Sequence, residues 1–242
     1  MHKKILSVLS LMVGLFTACN QSSLPVGQHY IAHAGGMIGG YTYTNSREAV
    51  EQSIADGISF IELDLAFTED SQLVCLHDWG FFNKITSGEE TARPLCLEYF
   101  LRQKIYGQYT PLTAADIVQI IEEHPHLWLV TDKISDPETI TRHFSSIKQR
   151  TIIECFTKED YRALKQAGFT TFLSYVPPSR DDTASCRILQ AFDNYVFSTR
   201  VDRSNLVYQS CALFSCHNRQ QADSVFSLDP RIKFVYIDNT TR

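Results

Sequence analysis

The sequence predicts an α/β fold in a single domain behind an N-terminal signal, a (β/α)8 TIM-like barrel or an open doubly wound sheet, and three observations predict it. Short apolar runs rich in Val, Ile, Phe and Tyr alternate with longer amphipathic stretches over about 215 residues, the size of one such barrel. The runs are nearly continuous in hydrophobicity, as strands covered on both faces are, so the strands are expected to be parallel with right-handed crossovers. Histidines and acids fall at the ends of several runs, where a parallel barrel builds its site.

The elements follow in order. Residues 1–18 read as a signal peptide: Lys3 and Lys4 lead, Ile5 to Phe16 form the apolar run, and Thr17 and Ala18 end it with small side chains. That run is shorter than the roughly 20 residues of a spanning helix. Cys19 comes next, and Phe16-Thr17-Ala18-Cys19 resembles a bacterial lipoprotein box with Phe16 where Leu is usual. The chain is therefore expected to be exported, anchored to a membrane through an acylated Cys19 and facing the periplasm or exterior, or otherwise secreted. Residues 19–28 form a linker, and residues 29–242 the barrel. Six cysteines remain (Cys75, Cys96, Cys155, Cys186, Cys211, Cys216), which sequence cannot pair; without a Cys-x-x-Cys they do not suggest zinc, and Cys75 and Cys155 read as small core residues.

Nine strand candidates run from His29 to Ala34, Phe60 to Phe67, Leu73 to His77, Leu127 to Asp132, Thr151 to Phe156, Thr170 to Val176, Tyr195 to Val201, Ala212 to His217 and Phe234 to Ile237. A barrel has eight places, so at least one must lie outside it. Asn45 with Glu48 reads as a capping box for a helix that stops at Gly57, and Thr113 to Glu122 and Lys158 to Ala167 read as two more. With 44% hydrophobic and 20% charged residues the chain is an ordinary globular one. Its net charge of −5, with no Lys/Arg cluster, excludes a nucleic-acid partner as the working hypothesis.

Glu62 and Asp64 stand two apart in a strand, so both carboxylates point to one face. Two buried acids side by side repel unless a positive charge lies between them, and a hard divalent cation with oxygen ligands supplies it. Asp132 is the candidate third ligand. His33, followed by Ala34-Gly35-Gly36, and His77 close two other runs and suit a general acid and base for displacement at phosphorus. Lys133, directly after Asp132, adds an ammonium to these groups. Trp79, Phe81 and Phe82, on an expected loop, are candidates for an apolar wall against the substrate alcohol, and His217, Tyr175 and Tyr236 are candidates at strand ends.

Together His33-Ala34-Gly35, Asn45-Ser46, Glu62-Leu63-Asp64, Thr68-Glu69-Asp70 and His77-Asp78 resemble, in order and spacing, the glycerophosphodiester phosphodiesterase family of phosphatidylinositol-phospholipase-C-like barrels. The likeness is dense from Ile31 to Trp79 and thinner beyond, where Phe214 to Asn218 and Tyr236-Ile237-Asp238 look like the family's last two strands. It implies a TIM-like barrel, one Ca2+ or Mg2+ ion and hydrolysis of phosphodiesters carrying glycerol or a similar alcohol. His33 and His77 become the acid–base pair, with Glu62 and Asp64 as metal ligands.

Four positions depart from the family pattern. Ala34 replaces a phosphate-binding Arg, whose charge Arg47, Lys133 or Arg200 is a candidate to supply; Thr44 replaces the Glu of Glu-Asn-Thr, and Ser71 replaces a Gly. Glu-x-Lys becomes Thr131-Asp132-Lys133, whose acid and base are adjacent and point to opposite faces of an ideal strand, so that Asp132 needs a shift or a bulge to reach the site. These departures keep two other functions open: a phospholipase C/D-like lipid phosphodiesterase, and a catalytically inactive barrel that binds ligands at a surface. Oligomeric state is not readable from the sequence.

Overall fold

The computed structural model describes residues 25–173, 197–200, 212–227 and 234–241. The signal, Cys19, Tyr175, Cys186 and Cys211 lie outside these residues, as does the side chain of Arg200.

The strands are β1 (His29–Ala32), β2 (Phe60–Phe67), β3 (Leu73–Cys75), β4 (Trp128–Asp132), β5 (Thr151–Cys155), β6 (Thr170–Leu173), β7 (Phe197–Arg200), β8 (Ala212–Asn218) and β9 (Phe234–Asn239). The helices are α1 (Arg47–Ala55), α2 (Trp79–Ser87), α3 (Leu97–Arg102), α4 (Ala114–Glu123), α5 (Pro137–Phe144), α6 (Lys158–Gln166) and α7 (Arg219–Phe226). Eight strands form one path in the order β6-β5-β4-β2-β1-β9-β8-β7, with every neighbouring pair along it parallel. The path's ends, β6 and β7, are consecutive in the chain, the order of a TIM-like barrel.

The surplus strand candidate is β3. It pairs antiparallel with β2, Leu65 opposite Cys75 and Phe67 opposite Leu73, and so lies off the barrel path. It opens an insertion containing α2 and α3, which has its own core of Val74, Leu76, Phe82, Phe100 and Ile105. Three strands end earlier than the hydrophobic runs suggest: β1 stops at Ala32, β3 at Cys75 and β5 at Cys155. Hydrophobicity continues past the point where the backbone leaves the ladder, which is why runs overestimate strand length.

Period-two alternation divides the barrel's side chains. Phe60, Trp128, Val130, Ile152 and Tyr236 pack inside it, while Ile61, Leu63, Leu65, Leu129 and Ile153 face the helices along with Ile117, Ile121 and Leu164. Each such aliphatic or aromatic side chain withdrawn from water contributes about 1.5–3 kcal/mol. The inward face of β2 therefore reads Phe60, Glu62, Asp64 in one file, an apolar floor below two acids.

The helix starts show why α4 and α6 are legible in sequence. Thr113 and Asp116 form a reciprocal capping box, and the Thr157 side chain accepts from the Asp160 N–H. At α1 the expectation needs correcting. Ser46, not Asn45, is the N-cap and accepts from the Ala49 N–H, while Glu48 reaches Thr110 instead of the helix start. The segment read as a loop after His77 is helix α2, capped by Asp78 through the Phe81 N–H at 2.8 Å.

Candidate active site

Glu62 and Asp64 are each 2% exposed and are the third and fifth residues of β2, Asp64 being the last that pairs with β4. Asp132, the last residue of β4, stands opposite Asp64 in the parallel register. Partners across a parallel pair share a face, so Asp132 joins the cluster with neither shift nor bulge. Oxygens of Glu62, Asp64 and Asp132 lie within 4.8 Å of one another.

This trio is held from several sides. Glu62 Oε2 accepts the Ala34 N–H at 2.7 Å, while Oε1 is buried with no hydrogen-bond partner among the described residues. Asn45 donates from Nδ2 to Asp64 Oδ2 at 2.9 Å and accepts the Asp64 N–H on Oδ1 at 3.0 Å, a reciprocal clamp on side chain and backbone together. Burial, then the charges of Asp64 and Asp132, push the Glu62 carboxyl well above the usual range. Burial and the Asp64 charge likewise raise Asp132, against the lowering effect of the Lys133 N–H and ammonium.

A buried acid with one lone-pair oxygen unsatisfied, beside two more carboxylates, is an expensive arrangement by itself. The donor set is all oxygen, which fits a hard divalent cation such as Ca2+ or Mg2+.

Lys133 also reaches the cluster although it follows Asp132 directly. Its φ of +73° turns the backbone out of the strand, its N–H donates to Asp132 Oδ1 at 2.5 Å, and its Nζ lies 3.8 Å from Asp64 Oδ1. The same Nζ is 3.5 Å from His77 Nε2.

Both histidines are oriented through Nδ1. His33, in the 3-10 turn after β1, is 2.9 Å from Asp238 Oδ1 on β9, and His77 is 2.7 Å from Asp78 Oδ2. A carboxylate on Nδ1 keeps that proton in place and leaves Nε2 as the working nitrogen. The Ala34 N–H next to His33 binds Glu62, and Lys133 lies between His77 and Asp64, so both imidazoles adjoin the carboxylate trio. Between the imidazoles lies Tyr43, with ring centroids 4.7 Å from His33 and 5.1 Å from His77.

The remaining candidates are placed differently. Arg47 is bound to Asp116 of α4 at 2.7 Å, with its charge directed to the α4 start. Trp79 packs on Phe82 and Phe100 and donates its indole N–H to the Phe67 carbonyl at 2.9 Å, so it anchors the insertion; Phe81 is the ring that approaches His77, at 6.4 Å. His217 stands at the rim, 59% exposed, 3.8 Å from Asp238 Oδ2. Tyr236 is buried with its hydroxyl unpartnered among the described residues, 5.7 Å from the His33 ring.

Asp238, Tyr43 and the buried Glu154 on β5 were not assigned roles from sequence. Asp238 carried the same strand-end signal as the acids that were.

A parallel barrel that gathers three carboxylates, two imidazoles and an ammonium at one end has the groups that general acid–base chemistry on an anionic substrate needs. The Glycerophosphoryl diester phosphodiesterase family model matches residues 36–212, well over half of the chain, and the chain belongs to that family. His33 lies just ahead of the matched segment. No curated protein matches the sequence.

Among solved structures, the fold is similar to a glycerophosphodiester phosphodiesterase from Agrobacterium tumefaciens (TM-score 0.65, 12% identity, 88% of this chain and 97% of that one). It is also similar to a phosphodiesterase from Oleispira antarctica in complex with the product sn-glycerol-3-phosphate (TM-score 0.63, 16% identity, 88% and 93% covered). A third is the glycerophosphodiester phosphodiesterase from Thermotoga maritima (TM-score 0.62, 14% identity, 88% and 95% covered). The protein is a phosphoric diester hydrolase by family.

Proposed function

We propose that the protein hydrolyses glycerophosphodiesters, or related phosphodiesters of the cell envelope, with a divalent ion, Ca2+ or Mg2+, and with His33 and His77 as the acid–base pair. The observation that carries this reading is the unsatisfied Glu62 Oε1 within a carboxylate trio flanked by two Nδ1-anchored imidazoles. Glu62, Asp64 and Asp132 would hold the ion, which when bound offsets negative charge on the phosphoryl oxygens. One imidazole takes at Nε2 the proton of the attacking group, either water or a substrate hydroxyl whose cyclic phosphodiester product water then opens, while the other gives a proton to the leaving alkoxide. Asp238 and Asp78 hold the Nδ1 protons through these transfers. Lys133 supplies a positive charge beside the phosphoryl group, the role for which Ala34 has no side chain. The product complex of the Oleispira antarctica protein supports a glycerol-bearing substrate.

Export, with Cys19 as a lipid anchor, is part of the same proposal and rests on the signal-like residues 1–18 and the lipoprotein-like box. Radiolabelled fatty acid incorporated by the wild-type precursor and not by Cys19→Ala is the expected result; equal labelling of both removes the anchor.

A substrate panel tests the reaction. Residues 20–242 are incubated with glycerophosphocholine, glycerophosphoethanolamine, lysophosphatidylcholine and sphingomyelin, and released glycerol phosphate or alcohol is measured. Release from the glycerophosphodiesters with loss in His33→Ala is expected. Release only from the two lipids moves the protein to the lipid phosphodiesterases, and no release by folded protein supports a binding barrel.

A further inference from the structure

The turn that precedes α1 is strained at two places. Tyr43 has φ of +58° and Asn45 φ of +48°, left-handed values that non-glycine residues adopt at a cost and bulky ones rarely. Such backbone persists where its surroundings fix it. Here the Asn45 N–H donates to the Ala34 carbonyl at 3.0 Å, Asn45 clamps Asp64, and Ser46 caps α1. Asn45 is thus explained by the acid it holds.

Tyr43 is half-buried, and its ring stands edge-on to both imidazoles, at interplanar angles of 76° to His33 and 83° to His77. Tilted ring pairs at such centroid distances are attractive and directional. Nδ1 anchoring fixes one end of each imidazole but leaves rotation about the hydrogen bond, and a ring touching both limits it.

We propose that Tyr43 is a positioning residue: its aromatic ring sets the relative orientation of His33 and His77, and the strained turn delivers it there. This rests on the assignment of those histidines as the acid–base pair. A misplacement of reacting groups by about 1 Å can lower a rate by about 100-fold.

The test compares Tyr43→Phe, Tyr43→Leu and Tyr43→Gly with wild type in kinetics, thermal unfolding and histidine 15N NMR. Phe keeps kcat within about twofold. Leu and Gly lower kcat by about 10- to 100-fold with KM within about threefold, and the ring-nitrogen signals of both histidines move together. Gly also relieves the left-handed φ, so its melting temperature equals or exceeds that of wild type while kcat falls, an outcome a merely structural tyrosine would not give. Unchanged kcat in Leu and Gly, a rise in KM alone, or a loss in Phe equal to that in Gly overturns the proposal. If wild type cleaves none of the panel, the functional reading fails, whereas the NMR comparison still decides the positioning role: signals of both histidines unmoved in Leu and Gly would end it.

Discussion

Replacing Glu62 by Gln in metal-free protein isolates the electrostatics of the carboxylate trio. At a separation of 4.8 Å and an effective dielectric of about 20, two ionised carboxylates repel by about 3.5 kcal/mol. The native chain relieves part of this by raising the Glu62 carboxyl well above the usual range through burial and the neighbouring Asp64 and Asp132 charges, which favours its neutral form. Because Glu62 is raised in the native state, the native chain binds a proton that the unfolded chain has released. Stability from this group is therefore present below the unfolded carboxylate range and is lost as pH rises toward the native value. Gln keeps the oxygen that accepts the Ala34 N–H, removes the charge, and offers an amide to the neighbouring acids. In chelator near pH 4.5 the two proteins should melt alike, and at pH 8 Glu62→Gln should be more stable by about 1–3 kcal/mol. For a domain of this size that is a shift of about 2–10 °C. Adding Ca2+ or Mg2+ at about 100 times its Kd should stabilise wild type by about 2.7 kcal/mol and the variant far less. Differential scanning calorimetry across this pH range reads all three. A variant less stable than wild type at pH 8 in chelator, or one with an undiminished ion-induced shift, would refute the reasoning.

Other outcomes follow from single contacts. Asn45→Ala removes both bonds to Asp64 and should weaken divalent-ion affinity by about 10- to 100-fold, measured by titration calorimetry; unchanged affinity would show that the clamp is dispensable. Asp238→Asn leaves the His33 geometry but lets Nδ1 lose its proton to Nε2, so kcat should fall by about 100-fold or more with little change in KM. Equal kinetics would release Asp238 from that role. Gly36 has φ of +96°, and a Cβ there would meet Ser53 Oγ at 2.4 Å, so Gly36→Ala should cost about 2 kcal/mol or more by chemical denaturation; a change below about 0.5 kcal/mol would show that Ser53 moves aside at little cost.

Much of this molecule is legible in its sequence because the barrel repeats one physical rule. Buried parallel strands need continuous apolar runs, and helices between them need caps and a periodic face, so β2, β4, α4 and α6 can be read directly. Glu62 and Asp64 stand out because period two sets both on one face. What sequence does not carry is partnership across distant segments. Asn45 looks like a helix cap until the fold brings Asp64 against it, and the true cap is its neighbour Ser46. Arg47 looks like a phosphate ligand until Asp116, 69 residues away, takes its guanidinium. Asp132 and Lys133 are adjacent and would face opposite ways in an ideal strand, yet both reach the site because Lys133 itself is left-handed, a backbone departure with no signature in residue type.

The central claim is tested most directly by glycerol phosphate release from glycerophosphodiesters, assayed with Ca2+ or Mg2+, with excess chelator, and in His33→Ala and Asp64→Asn. The account predicts release that stops in chelator, returns on re-addition of the ion, and is absent from both variants while each remains folded. Release unaffected by chelator, or undiminished in Asp64→Asn, would contradict it.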